Sequence, residues 1–229
     1  MTAPLPDALA VWLGIRGTLS WPRWPGCPRS PSAPTLDGFH HFFLTTRGGR
    51  DPEGTARVRA ALEKVQTDAA RGTELSLSLV QGWQQIVLND SAVGFRALPA
   101  FAKGGRERYG LNPHTRFRFE ECLAETTQPG LPLPSRAARA YLDVLFFHPF
   151  GDGVARAAML VLAFVLASEG VTLSQVHPLQ ATRWADDAEG AVDLAILLGI
   201  LITESQRRLT VGSDHIQRGN QRPSPRRTP

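Results

Sequence analysis

Nine consecutive residues, His148-Pro149-Phe150-Gly151-Asp152-Gly153-Val154-Ala155-Arg156, combine a base, a carboxylate, a glycine-flanked turn and a guanidinium. A neutral imidazole accepts a proton near pH 7. A carboxylate such as Asp152 can hold a hard cation that bridges phosphate oxygens, and the planar fork of Arg156 can grip phosphate. Together these residue types suggest proton abstraction beside a bound phosphate.

The flanking pattern places this run between two helices. Ala137, Ala140, Tyr141, Val144, Leu145 and Phe146 recur at helical spacing and stop at His148-Pro149, because the residue before a proline is disfavoured in the helical region. A second helix is predicted from about Gly153 through the apolar run 157–167 to Ser168, with Gly170 as its stop. The motif is then a turn into which free amides of the second helix point, and these amides and the helix dipole favour an anion such as phosphate.

On these residues the segment resembles the signature of the Fic/Doc family, His-x-Phe-x-Asp/Glu-Gly/Ala-Asn-Gly/Lys-Arg, often followed three residues later by a second Arg. His148, Phe150, Asp152, Gly153 and Arg156 match, whereas Val154 replaces the Asn, Ala155 the Gly or Lys, and Met159 the second Arg. Upstream, Phe95-Arg96, Lys103-Gly104-Gly105 and residues 106–110 resemble the family's β-hairpin flap, and residues 75–88 its early core helix. The likeness runs from about residue 55 to about residue 210, and only the nine-residue motif is specific.

The resemblance implies a mostly α fold, a Fic-like helical bundle with a small β-hairpin flap. It also implies His148 as the catalytic base, Asp152 as the Mg²⁺ ligand, and Gly151, Gly153, Val154, Ala155 and Arg156 around the phosphates of ATP or another phosphate-linked donor. The expected reaction attaches a nucleoside monophosphate to a protein hydroxyl. Transfer of a phosphoryl or other phosphate-linked group, or a non-catalytic interaction module on the same fold, are the alternatives. A protein substrate is expected along the flap near residues 92–109. The inhibitory pattern Ser/Thr-x-x-x-Glu-Gly/Asn of such proteins is missing: Gly49, Val165 and Ala185 stand four residues before Glu53, Glu169 and Glu189. A separate antitoxin-like partner, a substituted inhibitor, or a site altered beyond needing one would account for that.

The rest of the chain is read as follows. Its 229 residues, 42% apolar, suffice for one good core. Residues 1–50 are expected to form an irregular N-terminal segment, apart from a short helix near Leu5–Ile15, packed on the core through Trp12, Trp21 and Trp24. Residues 51–210 form the Fic-like domain, and 211–229 a disordered Arg/Pro-rich tail. That tail carries four arginines against one aspartate, so the +4 net charge falls to +1 without it, which argues against nucleic-acid binding. The apolar runs 157–167 and 191–202 are too short to span a bilayer. With Cys27 and Cys122 alone, no disulfide framework is implied, and with no secretory signal at the start a cytoplasmic location is expected. His40-His41 lacks a completing ligand set, and His177-Pro178 has none of the acid, Gly and Arg spacing of the first His-Pro pair.

Overall fold

The computed structural model describes residues 5–24, 37–47, 51–127 and 130–219. In chain order its longer elements are α1 (Ala8–Thr18), α2 (Gly38–Arg47), α3 (Pro52–Ala70), α4 (Leu77–Leu88), the strands β1 (Ala100–Ala102) and β2 (Glu107–Tyr109), α5 (Thr115–Ala124), α6 (Leu133–Phe147), α7 (Val154–Ala167) and α8 (Ala188–Gly219). The mostly helical class and the single small hairpin agree with the sequence reading.

Apolar spacing decides which helix lies at the centre. From Ala157 to Leu166 every residue of α7 is buried, as expected for a helix that is hydrophobic all round. Against it pack α6, α3 and α4, and α6 also contacts α8. In α3 the predicted face of Val58, Ala61, Leu62 and Val65 is buried, and the helix starts at an Asp51 side chain that accepts from the Gly54 amide at 2.8 Å. Asp68 joins α3 to α4 by accepting from Trp83 Nε1 at 2.9 Å and from Lys64 Nζ. Burial alone would raise the Asp68 pKa, but those two donors outweigh it and hold it below the usual value.

The N-terminal segment contains the short helix expected near Leu5–Ile15, as α1, and departs from the irregular stretch expected elsewhere in holding α2. Its attachment is polar as well as apolar. The 1% exposed Trp12 donates its indole N–H to Asp143 Oδ1 at 2.9 Å. Arg16 grips the same carboxylate with both prongs, at 2.7 and 3.0 Å, and reaches Glu125 at 2.9 Å. Burial works against the Arg16 charge, yet the adjacent Asp143 raises its pKa above the ordinary value and keeps it charged. Trp24 lies on α8 where Gly199 leaves room: a Cβ there would sit 2.7 Å from the indole. Trp21 packs against the core less completely. Cys27 lies outside the described residues.

At the other end, α8 continues as helix to Gly219, into the segment read as a disordered tail, because its first turns are fixed by Leu194, Ala195, Leu198, Leu201 and Ile202 in the core and the helix propagates from there. Residues 220–229 lie outside the described residues. Among the described residues no helix is long and apolar enough to cross a membrane. His177-Pro178 opens a short 3-10 turn, with its ring edge-on to Phe42 at 5.3 Å, so that pair has a packing role.

Replacing Asp143 by Ala would strip buried Arg16 of its two-pronged partner and leave it Glu125 alone. The variant should lose about 3–5 kcal/mol of stability in urea denaturation, whereas Arg59→Ala, on the exposed side of α3, should stay within about 0.5 kcal/mol.

Candidate active site

The nine-residue motif is the connection between α6 and α7. His148 is the C-cap of α6 in the left-handed conformation, φ 49° and ψ 56°. Gly153 is the N-cap of α7 at φ 71°. Two positive-φ residues therefore bracket the turn, and Phe150, fully buried between them, anchors it to the core. Strain of this kind at a non-glycine residue persists only where the surroundings over-determine it.

Those surroundings can be named. Arg96, on the approach to the hairpin, donates to the Phe147 carbonyl from Nε and Nη2, both at 3.3 Å, while its own amide donates to the Pro149 carbonyl at 2.8 Å. The same guanidinium reaches the Leu98 and Gly110 carbonyls at 2.7 and 2.6 Å, so it fastens the flap to the turn. From the opposite side, fully buried Gln84 of α4 donates to the Asp152 carbonyl at 2.7 Å. A Cβ on Gly153 would approach that Gln84 Nε2 to 2.4 Å, so glycine is demanded there twice, by φ and by space.

The His148 ring stacks on Tyr109 of β2, with centroids 4.9 Å apart and planes 12° off parallel. Its Nδ1 is buried with no hydrogen-bond partner. Burial pushes the His148 pKa below the ordinary value, reinforced by Arg96 and Lys103 and opposed by Leu145 and Glu107. The ring is therefore largely neutral at pH 7. His148, Val154, Ala155 and Met159 share a cavity of about 270 Å³ with Lys103 and Tyr109 from the flap and with residues 180–183 from the connection between α7 and α8.

Arg156 lines a different cavity, of about 180 Å³, with Phe42, Phe43 and Val58. Its guanidinium also turns back over the motif, 3.7 Å from Asp152 Oδ2. Asp152 itself is 80% exposed and its Oδ1 accepts from the Gly153 amide at 2.6 Å. Gly151 is exposed as well. No side chain caps α7, so the amides of Val154 and Ala155 face the turn with no intrahelical acceptor. The structure thus gathers the expected site residues on one turn, yet His148 and Val154 line one cavity, Arg156 another and Ala155 both, while Gly151, Asp152 and Gly153 line neither.

The flap is shorter than the 92–109 stretch expected: its ladder holds only Ala100 opposite Tyr109, Phe101 opposite Arg108 and Ala102 opposite Glu107. Arg96 supplies the fastening lower down that ladder bonds would otherwise provide. Glu107 is buried, and accepts from Lys103 at 2.5 Å, from the Tyr109 hydroxyl and from the Ala185 amide at 3.0 Å. Burial alone would raise its pKa, but these three donors hold it low. The Lys103 ammonium also sits 4.3 Å from the Trp184 ring centroid, a cation–π contact. Sequence reasoning passed over Gln84 and the 180–185 segment. Gln84 was detectable as a polar residue on the Leu77, Val80, Trp83 and Val87 face of α4, whereas nothing in residues 180–185 announces the cavity.

Two outcomes are expected. Gly153→Ala should cost about 1–3 kcal/mol in chemical denaturation, and combining it with Gln84→Ala should recover the part due to the clash but not the part due to φ. An NMR titration of His148 should give a midpoint below about 6.5. Because the folded state disfavours the proton, this group's contribution to stability is fully present above its unfolded pKa and is lost as pH falls through the folded one. A midpoint at or above the unfolded value would contradict the burial argument.

No family model matches the chain, and no curated protein matches it significantly. Solved structures do. A Fic domain containing signaling protein from Bacteroides thetaiotaomicron is 18% identical, with a TM-score of 0.53 over 75% of this chain and 78% of that one. IbpAFic2 covalently tethered to Cdc42 is 13% identical, with a TM-score of 0.54 over 86% of this chain and 71% of that one. A variant of IbpAFic2 in complex with adenylylated Cdc42 is 12% identical, with a TM-score of 0.53 over the same shares. At such low identity the likeness speaks for the backbone arrangement, and on that ground this chain has the Fic-domain fold.

Proposed function

We propose that this protein is a Fic-type transferase that attaches a nucleoside monophosphate to a hydroxyl group of a protein target, with His148 as general base. The observation that carries this reading is one cavity shared by a half-buried, neutral imidazole and the uncapped first turn of α7. In the reaction the target oxygen attacks the donor's α-phosphorus and its proton passes to His148 Nε2. The bond from that phosphorus to the bridging oxygen breaks, and pyrophosphate leaves. Amides at Gly153, Val154 and Ala155 and the Arg156 guanidinium stabilise phosphate charge during this step.

Among the described residues no group of three or more His, Cys, Asp or Glu gathers to hold a metal. One exposed carboxylate is nevertheless what Mg²⁺ uses when donor phosphates complete its shell, so Asp152 would hold the ion, which when bound neutralises charge on the phosphates. ATP is the donor this reading takes first. The target segment would add as a strand beside β1. The far side of β2 is already covered by a bridge from Asp7 to Arg108, and β1 presents Phe101, 59% exposed. Adenylylated Cdc42 in the complex with IbpAFic2 shows that a protein of this fold accommodates such a product.

The burial of Val154 and Met159, at 5% and 3% exposed, favours a second reading in which another phosphate-linked group is moved. Intact-mass and peptide mass spectrometry should decide, using a bacterial lysate incubated with the protein, Mg²⁺ and a panel of nucleotide and diphosphate-linked donors, with His148→Ala as control. A His148-dependent addition of one nucleoside monophosphate is expected. A different added mass would replace it with the second reading. No addition, with the control still folded, would sink catalysis and leave an interaction module.

A further inference from the structure

We infer that Arg183 is a donor-phosphate contact, a cation brought to the His148 cavity from outside the nine-residue motif. The inference rests on the transferase reading above and assigns that site a further specificity residue.

The cavity that holds His148 has no carboxylate in its lining, and its formally charged side chains are Lys103 and Arg183. The two cations differ in how fully they are engaged. Lys103 is 2.5 Å from Glu107 Oε2 and rests on the Trp184 ring, so its charge is compensated inside the flap. Arg183 donates from Nη1 to the Gly190 carbonyl at 3.2 Å, and its Nε is buried with no hydrogen-bond partner. A buried guanidinium N–H without an acceptor is costly and uncommon in a folded protein, so it calls for a partner that binds there. Arg183 also acts electrostatically on Tyr141: burial raises the Tyr141 pKa and Arg183 counters it, which brings that side chain within the guanidinium's influence on the cavity wall.

What would satisfy such a group is an anion with oxygens matched to a planar fork, and phosphate is the one this site has other reasons to receive. The placement also answers a chemical need. Ala155 and Met159, on the α7 wall of the same cavity, carry no charge, and Arg156 lines the neighbouring cavity. A phosphate held over the first turn of α7 therefore finds its extra cation in the 180–183 segment. At about 270 Å³ the cavity lies just under the ~300–1,000 Å³ typical of sites that enclose a whole ligand. It fits the phosphate-bearing part of a donor, with the remainder extending outward.

Calorimetric titration of the full-length protein with inorganic pyrophosphate tests this apart from turnover. Wild type and His148→Ala should both bind, because His148 acts on the acceptor proton. Arg183→Gln should weaken binding about tenfold or more, and Arg183→Lys, which keeps the charge but not the fork, should fall between. Circular dichroism melts of each variant confirm folding, and exposed Arg59→Gln serves as a charge control. Equal binding by wild type and Arg183→Gln, or no binding by wild type, would overturn the assignment. So would tighter binding of O-phosphoserine than of pyrophosphate, which would move Arg183 to the acceptor side. Loss of the His148-dependent product with the pyrophosphate result intact would instead count against the transferase reading alone.

Discussion

The turn from α6 to α7 is the constraint on which the other features depend. A chain reversal with two left-handed residues, one of them a histidine, does not persist unless neighbouring groups hold it. Here the hold comes through carbonyls: Arg96 on Phe147, the Arg96 amide on Pro149, and Gln84 on Asp152. Phe150 fixes the middle from below by apolar burial. Each of the clasping groups comes from a different part of the chain than the turn itself, so His148 is positioned by the whole bundle and not by its local sequence.

A second layer of constraint connects the flap to the same place. Glu107 accepts three donors that belong to the hairpin tip, to β2 and to the Ala185 amide, which ties the flap to the segment that roofs the His148 cavity. Tyr109, on the same strand as Glu107, then forms the platform on which the imidazole stacks. The cost of burying a carboxylate is offset because its lone pairs meet donors, one of them charged. The His148 ring rests unprotonated as a result, since the apolar and cationic surroundings disfavour the imidazolium.

The half of the turn proposed to bind phosphate is built unevenly. Backbone amides at the start of α7 are present whatever the side chains are, so replacing a polar residue by Val154 leaves that part of the anion site in place. Side-chain charge is a different matter. One charge-assisted hydrogen bond contributes about 1.5–3 kcal/mol, enough to change a rate or affinity by one to two orders of magnitude. Ala155 and Met159 supply none of it, and Arg156 looks into a cavity walled by α2 and α3. On the transferase reading, Arg183, which tertiary folding brings to the His148 cavity, adds to the charge that Arg156 supplies.

Much of this was legible in the residues. Helical spacing located α3, α4, α6 and α7 because an amphipathic or wholly apolar repeat leaves few other ways to bury its side chains. His148-Pro149 and Gly153 marked the turn through backbone sterics alone, and the types at 148, 152 and 156 suggested its chemistry. Other features depended on contacts across long sequence separations. Trp12 and Arg16 meet Asp143 some 130 positions away, Gln84 meets Asp152, and Arg183 meets the His148 cavity. The pairing itself carries no local signal, since a buried ion pair or a clasped carbonyl has no period. The sequence by itself determined α3, α4, α6 and α7, the turn and the residue types of the site. Tertiary structure alone decided that His148 is half-buried and neutral, that Arg156 and His148 face different cavities, and that an arginine from outside the motif lines the one with His148. Those properties follow from which surfaces exclude water from which groups, and that is settled only when the elements pack.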